Sequence, residues 1–215
     1  MNKPKKFPQS KIFHICNKSI AGFKIFSNFD NNFRFLQAID YYNGPKHKEN
    51  LGLFLIKNRN YQPKLFIPEK DSLIKILSYC IMPDHYHLLL KIIKDNCLTK
   101  YINDLENSYT RFFNIKFKRK GPLWQSSFRA VLIKSDEQFL HISRYIHLNP
   151  TSAELVIKPA DWIYSSYKNI ITDKSLLKDI LTEYSISNSI NYKKFVENNR
   201  DYQQKLQLIK KLILE

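Results

Sequence analysis

Apolar residues along the chain follow two spacings, and where they alternate with polar residues the sequence predicts β-strands. Residues 11–17 alternate in this way, and two longer stretches, 73–82 and 85–93, have the same character. The dipeptide Pro83-Asp84 between them is typical of a turn, because proline fixes one backbone torsion and aspartate hydrogen-bonds to its own backbone. A fourth strand is predicted at 128–133.

Helical spacing predicts three helices between and after the strands, over about 31–42, 98–117 and 136–145. Asp30 or Asn31 is expected to cap the first helix and Asp136 the third, because short polar side chains accept hydrogen bonds from backbone N–H groups. The third helix is expected to close near Asn149-Pro150, since proline cannot continue a helix.

The predicted order is strand, helix, strand, strand, helix, strand. This order favours an α+β fold, with a ferredoxin-like split βαβ antiparallel sheet and helices on one face. Residues 1–160 are expected to form this domain, and the pattern assigns no role to residues 46–70. Residues 161–215 are expected to be a helical C-terminal extension with an amphipathic tail at Phe195, Tyr202, Leu206, Ile209 and Leu212.

Composition points to a polyanionic partner. The 215-residue chain has a formal net charge of +16, which favours nucleic acid, although an AT-rich genome that encodes lysine often would give the same bias. The sequence contains neither GxGxxG nor GxxxxGK(S/T), the two glycine-rich motifs that bind phosphate groups. The three cysteines include no CxxC pair, so we expect a reducing cytoplasm and no disulfide framework. No apolar run reaches the roughly 20 residues that span a membrane, so no membrane partner is expected.

Two histidines lie two residues apart within the third predicted strand. Side chains alternate along a strand, so His85 and His87 share one face and Tyr86 points to the other. Two imidazoles about 7 Å apart can bind one divalent cation or one phosphate, but they are also ordinary residues of a solvent-facing strand. The neighbouring residues are apolar on both faces, which would leave the histidines half-buried and in need of partners, and this favours a site.

A basic segment with aromatic residues follows the long helix. Its candidate nucleic-acid-binding residues are Lys116, Lys118, Arg119, Lys120, Trp124 and Arg129. Cations interleaved with aromatics suit single-stranded nucleic acid, because phosphates pair with the cations and bases stack on the rings. The alternatives are a solvated helix end and, for Trp124, a core side chain.

A two-histidine site also needs a nucleophile, and neither a GxSxG sequence nor a reactive cysteine motif is present. Tyr109 lies within the long helix just before the basic segment. From periodicity alone it is more simply a core aromatic beside Phe112 and Phe113.

Several segments, taken in order, resemble the REP-associated tyrosine transposases, which are single-tyrosine transposases with a histidine–hydrophobic–histidine (HUH) motif. Residues 82–90 resemble that motif, and residues 108–114 resemble the tyrosine helix of the family. Further matching pieces are residues 13–17, 121–128, 145–150 and 162–167. The resemblance covers roughly residues 11–170, and the histidine motif with five further ordered pieces is far more specific than one histidine pair alone.

The resemblance implies that residues 1–160 are an HUH nuclease domain that cuts and rejoins single-stranded or hairpin DNA through a 5′-phosphotyrosine intermediate. His85 and His87 would bind a divalent cation, Mg²⁺ or Mn²⁺, and Tyr109 would be the nucleophile. Some HUH relatives use an amide four residues after the tyrosine as a third metal ligand. That position is Phe113 here, and Asn114 is the nearest candidate.

Asp84 departs from many relatives, which carry asparagine there, and its carboxylate would either assist the cation or repel phosphate. The resemblance implies a cytoplasmic, nucleoid-associated protein that is a monomer or homodimer. The alternative function is a domesticated, catalytically silent protein that binds DNA hairpins. An RNA-binding ferredoxin-like module is less consistent with the sequence, which contains no RNP1-like aromatic pattern.

Overall fold

The structure, a computed structural model, describes residues 7–44, 49–66, 71–183 and 191–199. Its strands are β1 (Ile12–Lys18), β2 (Ile74–Ile81), β3 (His85–Ile92) and β4 (Arg129–Leu132). Its helices are α1 (Phe29–Tyr41), α2 (Leu51–Lys57), α3 (Leu98–Lys116), α4 (Asp136–Ser152), α5 (Tyr167–Thr172), α6 (Lys174–Thr182) and α7 (Tyr192–Glu197). Helix α2 lies in the region to which the sequence pattern assigned no role.

The four strands form one antiparallel sheet in the order β2-β3-β1-β4. In the central pair, Cys16 lies opposite His87 and Lys18 lies opposite His85. The predicted α+β fold with a ferredoxin-like strand order is confirmed. The register places the end of β1 directly beside the two histidines.

Alternation along the central strands divides the interior into two cores, one on each face of the sheet. On the first face Tyr86, Leu88 and Leu90 pack with residues of α1 and α3. On the second face Leu89 and Ile12 pack with residues of α4 and α5. The expectation of helices on one face alone is therefore wrong, because α4 and the helices after it cover the second face.

The segment after residue 160 packs against the sheet beside strand β2. The Ser166 N–H donates to the Tyr79 carbonyl at 3.0 Å. Glu183, at the end of α6, forms ion pairs with Lys75 of β2 at 2.6 Å and with Lys91 of β3 at 2.5 Å. These contacts join the first part of the C-terminal extension to the predicted domain through the second core.

The predicted amphipathic tail is described only at its start, where Phe195 lies in α7. The other tail residues lie outside the described residues, namely Tyr202, Leu206, Ile209 and Leu212. Across the described ranges, no helix is both long and apolar enough to cross a membrane.

Two helices are capped by an earlier residue than predicted, and one helix ends later. The side chains of Asn28 and Ser135 cap α1 and α4, since each accepts a hydrogen bond from the backbone N–H three residues on, whereas the expected caps were Asp30 or Asn31 and Asp136. Helix α4 continues through Pro150 to Ser152, because a proline in the last turn removes only one intrahelical hydrogen bond. The consequence is that residues 145–149 lie in one regular helix.

Candidate active site

A pocket of about 430 Å³ opens at the end of the sheet where β1 ends and β3 begins. As the strand period predicts, His85 and His87 face the same side of the sheet, and their ring centroids are 5.0 Å apart. His85 is partly exposed, whereas His87 is buried. The pocket is lined by Cys16, Asn17, Lys18, His85, His87, Gln125, Ser126, Arg129 and Tyr145.

Asp84 orients the imidazole of His85. One Asp84 carboxylate oxygen lies 2.6 Å from His85 Nδ1, and the other lies 3.3 Å from Nζ of Lys18. Burial alone would raise the pKa of Asp84, but the hydrogen bond from His85 and the charge of Lys18 lower it on balance. An ionised Asp84 makes His85 Nδ1 the donor, which leaves the Nε2 lone pair for the pocket. The carboxylate therefore acts on the site through His85.

His87 has a buried partner, His14 of β1. Nε2 of His14 lies 2.9 Å from Nδ1 of His87, and the two rings stack with centroids 5.1 Å apart. Among the described residues, Nε2 of His87 is buried with no hydrogen-bond partner. Burial lowers the pKa of His14 to about 4, and burial beside His85 and His14 lowers that of His87 well below 6.5. Both rings are therefore neutral at neutral pH, the form in which imidazole binds metal ions.

Cys16, opposite His87 in the strand register, adds a thiol to this cluster. Ligand atoms of His14, Cys16 and His87 all lie within 4.8 Å of one another. Burial raises the pKa of the Cys16 thiol, against a smaller lowering by the nearby Arg129. The cluster is compact enough to hold a metal ion, but a protonated thiol is a poorer ligand than the two neutral imidazoles.

Tyr145 of α4 lies against the histidines. Its ring meets His87 edge to face, with centroids 5.5 Å apart, and its centroid lies 6.5 Å from that of His14. Burial raises the pKa of Tyr145, and a hydrogen bond with Asn149 opposes that shift. A tyrosine is thus brought into the histidine pocket, but it is not the one predicted.

Asn149 lies four residues after Tyr145, one turn along the same face of α4. Its side chain hydrogen-bonds to Tyr145, which lowers the pKa of that phenol against the larger effect of burial. This is the spacing that the family resemblance associates with an amide ligand. Counted from Tyr145 the amide is present, whereas counted from Tyr109 the position is occupied by Phe113.

Tyr109 lies on the first face of the sheet, away from the histidines. Its side chain is 1% exposed, and its hydroxyl donates to the Ile25 carbonyl at 2.8 Å. Its ring packs against Phe26 and Phe35, and burial raises its pKa far above the usual range. The structure therefore does not bring Tyr109, the predicted nucleophile, to the histidines. The physical reason is that α3 packs on the face to which Tyr86 points, and the histidines point the other way.

Asn114, the predicted third ligand, has a different role at the end of α3. Its Nδ2 donates to the Gly121 carbonyl at 2.9 Å, and its Oδ1 accepts from Arg119 at 2.7 Å. Both amide atoms are used to close the loop that follows the helix. Asn114 is also on the helix that covers the first face, so the structure does not bring it to the histidines.

The predicted nucleic-acid-binding cations lie in different surroundings. Lys118 and Lys120 are exposed, and Arg129 lines the histidine pocket. Nζ of Lys116 donates to Oδ1 of Asn31 in α1 at 2.9 Å. Arg119 donates to two groups near its own loop and is partly buried. Lys118, Lys120 and Arg129 are therefore the better placed to meet a phosphate backbone.

Trp124 is half-buried in the first core. Its Nε1 donates to the Glu106 carbonyl at 3.3 Å, and its ring meets Tyr86 edge to face with centroids 5.6 Å apart. Trp124 therefore packs as a core side chain, which was the alternative to stacking on an unpaired base.

Sequence reasoning missed Tyr145, which lines the pocket, and also His14 and Asn149, which contact His87 and Tyr145. A local signal existed for two of them, since Tyr145 and Asn149 stand four apart within a family motif. His14 has no such signal, because its contact with His87 depends on the pairing of two strands distant in sequence.

Comparison with known proteins shows what this chain is similar to. Residues 66–149 match the family model described as transposase IS200-like. A curated protein of Haemophilus influenzae that bears the name REP-associated tyrosine transposase is 29% identical over 101 residues, which are 42% of this chain and 57% of that protein. The resemblance to REP-associated tyrosine transposases is confirmed.

A solved structure of a REP-associated tyrosine transposase bound to a REP hairpin has the same fold. It matches with a TM-score of 0.56 at 12% identity, over 81% of this chain and 87% of that chain. The chain spans little more than half the length of the curated REP-associated tyrosine transposase from Haemophilus influenzae. The family match includes both Tyr109 and Tyr145, so the geometry of the pocket is what distinguishes them.

Proposed function

We propose that the protein is a metal-dependent single-strand DNA endonuclease and transposase of the HUH type, which cuts and rejoins DNA through a 5′-phosphotyrosine. The observation that carries this proposal is the packing of Tyr145 against His87 in a pocket that also contains His85. A nucleophile and two imidazoles in one pocket are the groups that the reaction requires. The family match and the hairpin-bound structural relative support it.

His85 and His87 are the proposed ligands of a divalent cation, Mg²⁺ or Mn²⁺, through their Nε2 atoms. Asp84 occupies Nδ1 of His85 and His14 occupies Nδ1 of His87, so Nε2 is the atom left on each ring. The buried Nε2 of His87, unpartnered among the described residues, fits a role as a cation ligand. Asn149 is the proposed amide ligand. A bound cation would polarise the scissile phosphate and stabilise its developing charge.

Tyr145 is the proposed nucleophile. Its Oη would form a bond to phosphorus while the bond from phosphorus to the 3′ oxygen breaks, leaving a 5′-phosphotyrosine and a free 3′-hydroxyl. One phosphodiester replaces another, so a 3′-hydroxyl can reverse the step and rejoin the strand without ATP. Since burial raises the pKa of Tyr145, the phenol starts protonated and must give up its proton as it attacks.

Cations around the pocket are proposed to hold the DNA backbone. Lys18 and Arg129 line the pocket, and Lys118 and Lys120 are exposed at the end of α3. The expected substrate is single-stranded or hairpin-flanking DNA. A stiff duplex resists the path into a pocket at the end of the sheet, whereas a single strand follows it at little cost.

Covalent trapping tests the nucleophile. The full chain is incubated with labelled single-stranded hairpin oligonucleotides and Mn²⁺, and denaturing gels report protein–DNA adducts. We expect an adduct from the wild type and from Tyr109→Phe, and none from Tyr145→Phe. An adduct from Tyr145→Phe but not from Tyr109→Phe would overturn the assignment. Hairpin binding by the wild type with no adduct would favour the catalytically silent hairpin-binding protein.

The same assay tests the metal. His85→Ala and His87→Ala should each remove the response to Mn²⁺, because each deletes a proposed ligand. Full adduct formation in excess EDTA would contradict a metal-dependent reaction.

A further inference from the structure

A second cavity, of about 730 Å³, lies between α1, α2 and α3 on the face of the sheet opposite the histidine pocket. We call it the Arg34 groove, and the lining residues that matter here are Arg34, Gly52, Asp104, Arg111, Phe112 and Lys116. Three of these carry positive charge. The carboxylate of Asp104 is engaged by Lys100 in the preceding turn of α3. The groove therefore presents an excess of positive charge.

Arg34 is a half-buried cation without an acidic partner in the described part of the chain. Its Nε is buried and makes no hydrogen bond to a described residue. Burial lowers the pKa of Arg34, against a smaller effect of Tyr42, yet a guanidinium stays charged in proteins. A charge taken out of water without a counter-charge costs free energy, so such a group is typical of an anion site.

The guanidinium is held in place and has open space beside it. Cζ of Arg34 lies 5.2 Å from the ring centroid of Phe112, and Nζ of Lys116 lies 5.5 Å from the same centroid. A Cβ added at Gly52 would lie 3.7 Å from Nη2 of Arg34 and 3.1 Å from Oδ1 of Asn50. The glycine of α2 thus leaves room next to the guanidinium that a side chain would fill.

We propose that the Arg34 groove binds a phosphate group, with Arg34 as its main contact and Arg111 as a supporting cation. Lys116 is engaged by Asp30 and Asn31 of α1. Guanidinium groups recognise phosphate oxygens through paired N–H donors, which matches the unused donors of Arg34. Lys116 also begins the basic segment at the end of α3, so the groove continues into the cations proposed to hold DNA. The phosphate is therefore assigned to the backbone of the bound DNA. That assignment rests on the proposed function, whereas the phosphate site does not.

Inorganic phosphate is the probe for the site itself. Titration of the full chain, followed by NMR of arginine Nε–H and backbone amide signals, should give saturable shifts at Arg34 and along the groove. Arg34→Gln should abolish them. Arg59→Gln removes the same charge at an exposed site outside the groove and should leave them unchanged. The absence of saturable shifts at the groove would overturn the phosphate site.

A second variant separates charge from space. Gly52→Leu keeps every cation and fills the room beside the guanidinium, so it should also abolish phosphate binding. Arg34→Lys keeps the charge and should retain weaker binding, which guards against loss of folding as the cause. Unchanged phosphate binding by a folded Gly52→Leu protein would place the anion elsewhere and contradict the groove.

Hairpin DNA is the probe for the source of the phosphate. Binding is measured against salt concentration with Tyr145→Phe in EDTA, so that no cleavage is involved. Loss of one single-strand phosphate contact in Arg34→Gln should flatten the log–log salt dependence by about 0.7. An unchanged slope, with inorganic phosphate binding lost, would assign the groove to a free anion and overturn the DNA assignment. Neither the phosphate titration nor the hairpin-binding measurement involves cleavage. Both therefore test the groove even if Tyr145 forms no adduct with DNA.

Discussion

At the scale of single residues, hydrogen bonds to ring nitrogens decide which atoms face the pocket. Asp84 fixes His85, and His14 fixes His87 at 2.9 Å inside the protein. Partners of this kind set the tautomer and orientation of a ligating imidazole. The residue that positions His87 is therefore as much a part of the site as the ligand.

Replacing His14 with leucine should weaken Mn²⁺ binding about 10- to 100-fold, because the partner that fixes His87 is lost. His14→Gln keeps an oxygen that can accept a hydrogen bond, so it should retain more of the affinity. Electron paramagnetic resonance of free Mn²⁺ measures binding without DNA. Cys16→Ala, in the same cluster, is the matched control and should change binding little. Equal affinity of His14→Leu and the wild type would contradict the positioning role.

At the scale of elements, each long helix commits its residues to one face of the sheet. Helix α3 supplies Tyr109 to the first core, and α4 supplies Tyr145 to the histidine pocket. The basic residues at the end of α3 also differ in their surroundings. Arg119 is engaged by its own loop, while Lys118 and Lys120 remain exposed.

Changing Lys118 and Lys120 together to alanine should weaken binding to all hairpin sequences about equally. The log–log salt slope should fall by about 1.4, since each single-strand phosphate contact contributes about 0.7. Filter binding of hairpin DNA to the Tyr145→Phe protein across a salt series measures this slope. Arg119→Ala is the contrasting variant and should lower thermal stability through its loop. A changed sequence preference at constant slope would instead make the two lysines base readers.

At the scale of the whole molecule, packing on the second face of the sheet buries three neutral histidines. His14 and His87 lie beside the pocket, and His147 of α4 is bonded at 2.8 Å to both Tyr192 and Ser166. Burial lowers the pKa of His147 to about 3 and that of His14 to about 4. Folding therefore depends on keeping these rings uncharged.

Stability should fall as the pH is lowered below 6.5, the usual pKa of an exposed histidine. Between that value and the lowered folded-state pKa values, the unfolded chain binds more protons than the folded one. Each buried histidine then removes about 1.4 kcal/mol of unfolding free energy per pH unit. Urea denaturation between about pH 7 and pH 5 measures the slope. Exposed His141→Gln is the control, and stability independent of pH over this range would contradict buried neutral histidines.

The sequence by itself determined the strands, the long helices and the shared face of His85 and His87, because these follow from local periodicity and from the family's ordered motifs. It also contained Tyr109 and Tyr145, each within a family motif on a predicted helix. Only the tertiary structure decided between them, since a helix's own periodicity does not say which side of the sheet it will cover. The contact between His14 and His87, 73 residues apart, likewise required the strand register. Long-range packing, which no local pattern encodes, assembled this pocket.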